Sequence, residues 1–129
     1  MGPRGYFMHR RFGNCPKGGV TAYFMVELLP ENRYLISYSL ARCNPIDNFE
    51  KRRGRSIAQG RFEKRRNCGD VTTYMVEAPD PEAARGIVIR RMEKVCLGEL
   101  DAMRDLHALR IGELMRKYTQ LIREGIITI

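Results

Sequence analysis

Six side chains that do one kind of chemistry are gathered between Asn44 and Arg61: Arg52, Arg53, Arg55 and Arg61, with Ser56 and Gln59 between them. Guanidinium groups are permanent cations with several N–H donors in a fixed fork, and hydroxyl and amide groups add neutral donors; such a set holds phosphates or carboxylates rather than making or breaking bonds. Gly54 and Gly60 interrupt the same run. Each glycine inside a helix costs roughly 1 kcal/mol against alanine, so the two imply a close approach by a ligand or a neighbouring backbone.

The segment reads as a helix that starts at Asn44, with Asn44 as N-cap, Pro45 in the first helical position and Asp47 able to accept from free backbone N–H groups. At ~100° per residue, Ile46, Phe49, Arg53, Ile57 and Gly60 share one face, while Lys51, Arg52, Arg55 and Gln59 lie opposite with Ser56 at the margin. Taken one at a time these charges are most simply a solvated surface. It is the glycines that favour a binding surface for the segment as a whole.

Catalysis finds less support. His107 falls on an apolar helical stripe, where a hydrogen-bonded packing role is the ordinary explanation, and His9 lies among arginines. Asp101 and Asp105 are four apart on a helix, next to Arg104, a spacing that ion pairing explains. The chain has no Walker-type phosphate loop, Gly-x-Gly-x-x-Gly or His-Glu-x-x-His, and it is read as a non-enzyme without a cofactor. Cys15, Cys43, Cys68 and Cys96 are 28, 25 and 28 residues apart. With no Cys-x-x-Cys pair they read as reduced thiols, neither a zinc site nor a disulfide framework. No apolar run reaches the roughly 20 residues that cross a bilayer, and the start of the chain resembles neither a secretion nor a myristoylation signal, so a cytoplasmic setting is expected.

The elements that must position these groups fit a single domain of residues 1–129. Residues 1–66 hold 14 Lys and Arg against 5 Asp and Glu, whereas residues 67–129 hold 9 against 10, so the net charge of +8 belongs to the front half and points to an anionic partner. Residues 1–18, rich in glycine and arginine, read as a basic, flexible arm. Val20–Leu29 and Tyr34–Ala41 flank the turn residues Pro30, Glu31 and Asn32, which predicts an antiparallel hairpin with Tyr34, Ile36, Tyr38 and Leu40 on one face and Ser37 and Ser39 on the other. Val71–Val76 predicts a further strand, and Asp80-Pro81 a capped helix start. From Pro81 the helical period persists, with breaks expected at Gly98 and, more weakly, Gly112, and Ile126–Ile129 could add a short strand. The class is α+β: a small antiparallel sheet, in the order β-β-α-β, followed by two long C-terminal helices. In the last helix Leu100, Met103, His107, Ile111, Leu114, Tyr118 and Leu121 form one stripe and Leu106 and Leu109 fall on another side. This predicts either a helical hairpin or contact with a second copy, and a homo-oligomer, a dimer or a higher assembly such as a hexamer, is the expectation adopted.

The pattern Asn44-Pro45-x-Asp47-x-Phe49-x-Lys51-x-x-Gly54-Arg55-x-Ile57-Ala58-x-Gly60-Arg61 resembles that of the phage Thoeris anti-defence proteins of the first type. The resemblance covers 18 of 129 residues. It implies a protein that acts in the cytoplasm of an infected bacterial host, capturing without cleavage the cyclic ADP-ribose isomers made by TIR-domain defence enzymes; some members of that family also take cyclic oligonucleotides at a separate site. On this reading Arg52, Arg53, Arg55, Ser56, Gln59 and Arg61 contact the ligand. Tyr74, Arg110, Arg116 and Tyr118 are added as adenine-stacking and ribose-binding candidates on residue type alone. The arginine-rich start is a departure from the family and supports an alternative, a basic regulator that binds nucleic acid; blocking of an acidic host protein is a third reading.

Overall fold

In the computed structural model, which describes residues 4–126, two helices cover opposite faces of one antiparallel sheet whose strands lie in chain order β1-β2-β3-β4. The elements are β1 (Arg4–Arg10), β2 (Lys17–Leu29), β3 (Arg33–Asn48), α1 (Lys51–Asn67), β4 (Thr72–Glu77) and α2 (Pro81–Arg123). The fold is α+β, as the hydrophobic patterning implied. Among the described residues no helix is long and apolar enough to cross a membrane.

Alternation along the strands builds two cores. Val20, Ala22 and Phe24 of β2 point to the same side as Tyr34 and Ile36 of β3 and Val76 of β4, and this side is closed by Ala84, Val88, Met92, Cys96 and Leu100 of α2. The other face carries Tyr23 of β2 and Ala41 of β3 against Ala58 and Phe62 of α1. The β2–β3 hairpin forms as expected, and its turn is made by Glu31 and Asn32 at φ 65° and 57°. Asp80 caps α2 by accepting from the N–H of Ala83 at 2.8 Å, with Pro81 in the first turn.

Four expectations are corrected. Part of the segment read as a flexible arm is the edge strand β1, paired with β2 from Arg4↔Val26 to Arg10↔Val20; its seven residues were hidden by the glycines and prolines on either side. The order is accordingly β-β-β-α-β-α. The predicted pair of C-terminal helices is a single helix of 43 residues, unbroken at Gly98 and Gly112. Neither glycine has the positive φ that a helix end would use, and the row of α2 side chains packed on the sheet runs straight past Gly98 to Leu100.

The fourth correction concerns Asn44. The chain remains extended to Asn48 and turns helical only at Lys51. Asn44 Oδ1 accepts from the N–H of Ile46 at 3.2 Å, a local turn that uses the residue's capping chemistry without starting a helix. Pro45 sits where β3 leaves register with β2, between the pairs Gly19↔Cys43 and Lys17↔Asn48, a position at which its missing N–H breaks no ladder. Gly18, at φ +76°, lies close against Phe12 and the backbone of Pro45, leaving no space for a side chain. The expected strand at the C-terminus falls, beyond Ile126, outside the described residues.

Candidate functional site

The irregular end of β3 and the first turns of α1 enclose a cavity of about 480 Å³. Its floor is Thr21 and Ala41; its walls are Cys43, Asn44, Asp47, Asn48, Phe49 and Glu50 from the irregular stretch and Arg53, Gly54 and Ile57 from the helix, with Arg42 at one side. The volume lies in the range of small-molecule sites. Its lining combines two guanidinium groups, Arg53 and the Glu99-paired Arg42, with carboxylate and amide acceptors and an aromatic ring.

The start of α1 is electrostatically unusual. Glu50 occupies the N-cap position but makes no side-chain hydrogen bond there, and the first turn holds no acid. Lys51, Arg52 and Arg53 stand there instead, so three cations face the positive end of the helix dipole. Each is unfavourable by roughly 0.3–1 kcal/mol at most in an exposed position. Free N–H groups at a helix start, ringed by cations, are the arrangement that binds anions. The field reaches His9 on β1. Its imidazole is held below its ordinary pKa by burial first and then by Lys51, Arg55 and Arg10. The neutral ring shares a hydrogen bond of 2.9 Å with Thr21 Oγ1 and lies edge-on to Phe49 with centroids 6.0 Å apart. Burial also raises the pKa of Cys43, which keeps the sulfur beside the cavity as thiol.

The structure separates the side chains proposed from sequence. Arg53 lines the cavity. Arg52, Arg55, Ser56 and Gln59 are exposed on α1. Gln59 is within 3.4 Å of Glu63 Oε1. Arg61 lies toward the sheet, where its Nη1 donates to the carbonyl of Leu40 at 3.1 Å, a group on the β3 edge beyond the last β4 pair at Tyr38↔Thr72. The predicted apolar face is displaced: Ile46 and Phe49 precede the helix, Arg53 and Gly60 are exposed, and Ala58 and Phe62 form the buried face.

Tyr74 lies on the opposite face of the sheet, with the Arg91 guanidinium 4.2 Å from its ring centroid. Its hydroxyl is buried without a partner and its pKa is pushed up to about 12, chiefly by burial. Arg110, Arg116 and Tyr118 belong to the far half of α2 and are exposed there. Within one chain, therefore, Tyr74 and these three do not join the α1 site. The cavity residues absent from the sequence-based set include Asn44, Asp47, Asn48, Phe49 and Glu50, together with Thr21, Arg42 and Cys43 of the strands. Their signal was Asn44-Pro45 next to Asp47-Asn48, which is turn and bulge chemistry as much as helix-start chemistry.

The two glycines of the segment have different standing. A methyl group on Gly54 would collide with Thr21 Oγ1, whereas one on Gly60 would meet nothing within 4 Å. Gly54 thus lets α1 lie close on β2, while Gly60 offers no evidence of a close approach. No protein-family model, curated protein or solved structure matches this chain.

Gly54→Ala should destabilise the protein by roughly 1–3 kcal/mol through overpacking against Thr21, and Gly60→Ala should stabilise it by about 0.5–1 kcal/mol through helix propensity. Urea denaturation of the two variants checks this, and equal effects would contradict the contact assigned to Gly54.

Proposed function

We propose that the chain captures a small cyclic nucleotide, of the cyclic ADP-ribose class, in the cavity between β3 and α1 and holds it without cleavage. The observation that carries this reading is the combination of an uncapped, cation-rich helix start with a concave site of about 480 Å³. Phosphates suit Arg53 and the first N–H groups of α1; Lys51 and Arg52 add charge at the rim. Ribose hydroxyls suit Asp47, Glu50, Asn44 and Asn48, which supply acceptors that a site for phosphate alone would not need. Phe49 offers a ring edge or face to a purine.

Capture without turnover is the economical reading of these groups. His9 is depleted in protons by burial first and then by its cationic surroundings, and Cys43 is held as thiol by burial. The hydroxyl that His9 meets, Thr21 Oγ1, is wholly buried against Gly54, and Cys43 Sγ bonds to the carbonyls of Asp47 and Asn48 rather than to a base that would activate it. A cyclic nucleotide that signals to a defence system is the ligand that the resemblance of Asn44 to Arg61 implies, which makes the protein a phage counter-defence sponge in the bacterial cytoplasm. Binding of a nucleic-acid backbone is favoured instead by the eight Lys and Arg carried by α1 against its single Glu. Salt separates the two readings. In isothermal titration, a cyclic ADP-ribose isomer should bind with a log–log salt slope of about −2 or shallower, against about −0.9 per phosphate contacted on a duplex. Arg53→Ala should weaken capture ~10- to 150-fold, the equivalent of one charge-assisted hydrogen bond. Full retention of affinity in that variant, or a steep slope with duplex DNA and no heat with the cyclic nucleotide, would contradict the proposal.

We further propose that the sponge is a homo-oligomer joined through α2. Beyond Leu100 the helix has no buried residue, and Leu109, Leu114 and Met115 are 62, 66 and 61% exposed. His107, Ile111, Leu114, Tyr118 and Leu121 follow spacings of four and three, the seam by which one helix packs along another. The same stripe that meets the sheet through Met92, Cys96 and Leu100 thus continues without a partner, and a second copy offers a matching seam. Sedimentation should show an assembly that Leu114→Glu together with Tyr118→Glu reduces to a folded monomer; a wild-type monomer, or an assembly indifferent to both changes, would refute the seam.

A further inference from the structure

On the opposite side of the molecule from the β4 edge, β1 presents a free sheet edge. We infer that this edge, with the groove between it and α2, docks an extended acidic segment of a partner protein by adding it to the sheet. β1 is the outermost strand, paired only with β2 over Arg4–Arg10. Its outward main-chain groups have no strand beside them among the described residues. Protein sheets commonly blunt such an edge with proline, a bulge, a covering segment or charged side chains, and the charges of β1 are confined to the arginines at its two ends. β1 contains no proline, and its register with β2 is continuous through all seven pairs.

Beside the strand runs a groove of about 770 Å³ whose apolar wall includes Tyr6 and Met8 from β1 and Val88 and Ile89 from α2. Tyr6 and Ile89 remain 42 and 40% exposed, and Phe7, on the other face of the strand, 38%. An added strand would place alternate side chains on these two apolar faces while its backbone pairs with β1, which is how edge-binding domains obtain affinity from the main chain and specificity from the pockets.

Charge selects the occupant. Lys51 and Arg85 line the groove together with Arg10, which is paired with Glu93 at 3.5 Å, and no carboxylate is among the lining residues. An extended segment that alternates acidic and apolar residues meets both the cations and the apolar walls. This groove shares Lys51 with the rim of the cavity at the start of α1, but its occupancy does not depend on nucleotide capture.

The test is fluorescence anisotropy with the labelled peptide Glu-Ile-Glu-Val-Glu-Leu-Glu. Two controls carry lysine for each glutamate, or N-methyl groups on alternate amides of the acidic sequence. The acidic peptide should bind, both controls should bind at least ~10-fold more weakly, and Arg85→Glu, an exposed change, should weaken the acidic peptide ~10-fold. Equal binding of the N-methylated peptide would overturn strand addition, and equal binding of the lysine peptide would overturn the acidic occupant. An acidic peptide that fails to bind at millimolar concentration, or that ignores Arg85→Glu, would overturn the proposal as a whole.

Discussion

The departure of β3 from register after Cys43 governs the rest of the molecule. Up to that residue β3 pairs with β2 without interruption; beyond it the pairing shifts between Gly19 and Lys17, and the chain is steered off the sheet by Pro45 and the local turn at Asn44. Two connections fix the new path. The N–H of Phe49 donates to the carbonyl of Pro16 at 2.9 Å, and Gly18 accepts a left-handed backbone so that Phe12 and Pro45 can close around it. The helix that follows is therefore set down across β2, at the one level where Gly54 can meet Thr21.

The same geometry concentrates charge. Because the chain enters α1 from an irregular strand end, Glu50 stands at the N-cap without capping it, and the first turn is left to Lys51, Arg52 and Arg53. Such a start carries a local electrostatic penalty that a bound anion would remove, as a carboxylate removes it in an ordinary capped helix. Its reach is visible at His9, two strands away from β3, where Lys51 and Arg55 reinforce burial in keeping the imidazole neutral. Thr21, wholly buried, links that imidazole to the glycine on which α1 rests. The packing of α1 and the electrostatics of the cavity are thus set by the same few residues.

Residue patterning conveyed the hairpin, β4 and the start of α2, because each rests on local chemistry: alternation with a turn between, a short β-branched run, and Asp80 before Pro81. It failed where the same residues serve two structures. Asn44-Pro45 can open a helix or interrupt a strand, and only the pairing of β3 with Lys17 decides between them. Gly98 would end an isolated helix, but the i, i+4 row from Ala84 to Leu100 holds α2 against the sheet on both sides of it. Edge strand β1 was missed because pairing with β2, not its own composition, makes it a strand. At the candidate site, Arg53 was legible from its place in a glycine-broken basic run; Phe49 and Asn48 were not, since their place in the cavity wall follows from where the bulge directs them. Tyr74, Arg110, Arg116 and Tyr118 suit a nucleotide by residue type alone, and topology sends them elsewhere.

The central claim is that the cavity at the start of α1 holds a small nucleotide intact. Mass spectrometry of the molecules released by heat from purified protein, after incubation with the products of a TIR-domain enzyme, tests it most directly. The account predicts recovery of an unchanged cyclic ADP-ribose isomer, in near-equal amount to the protein chains. Recovery of no nucleotide, or only of a hydrolysed one, would contradict it.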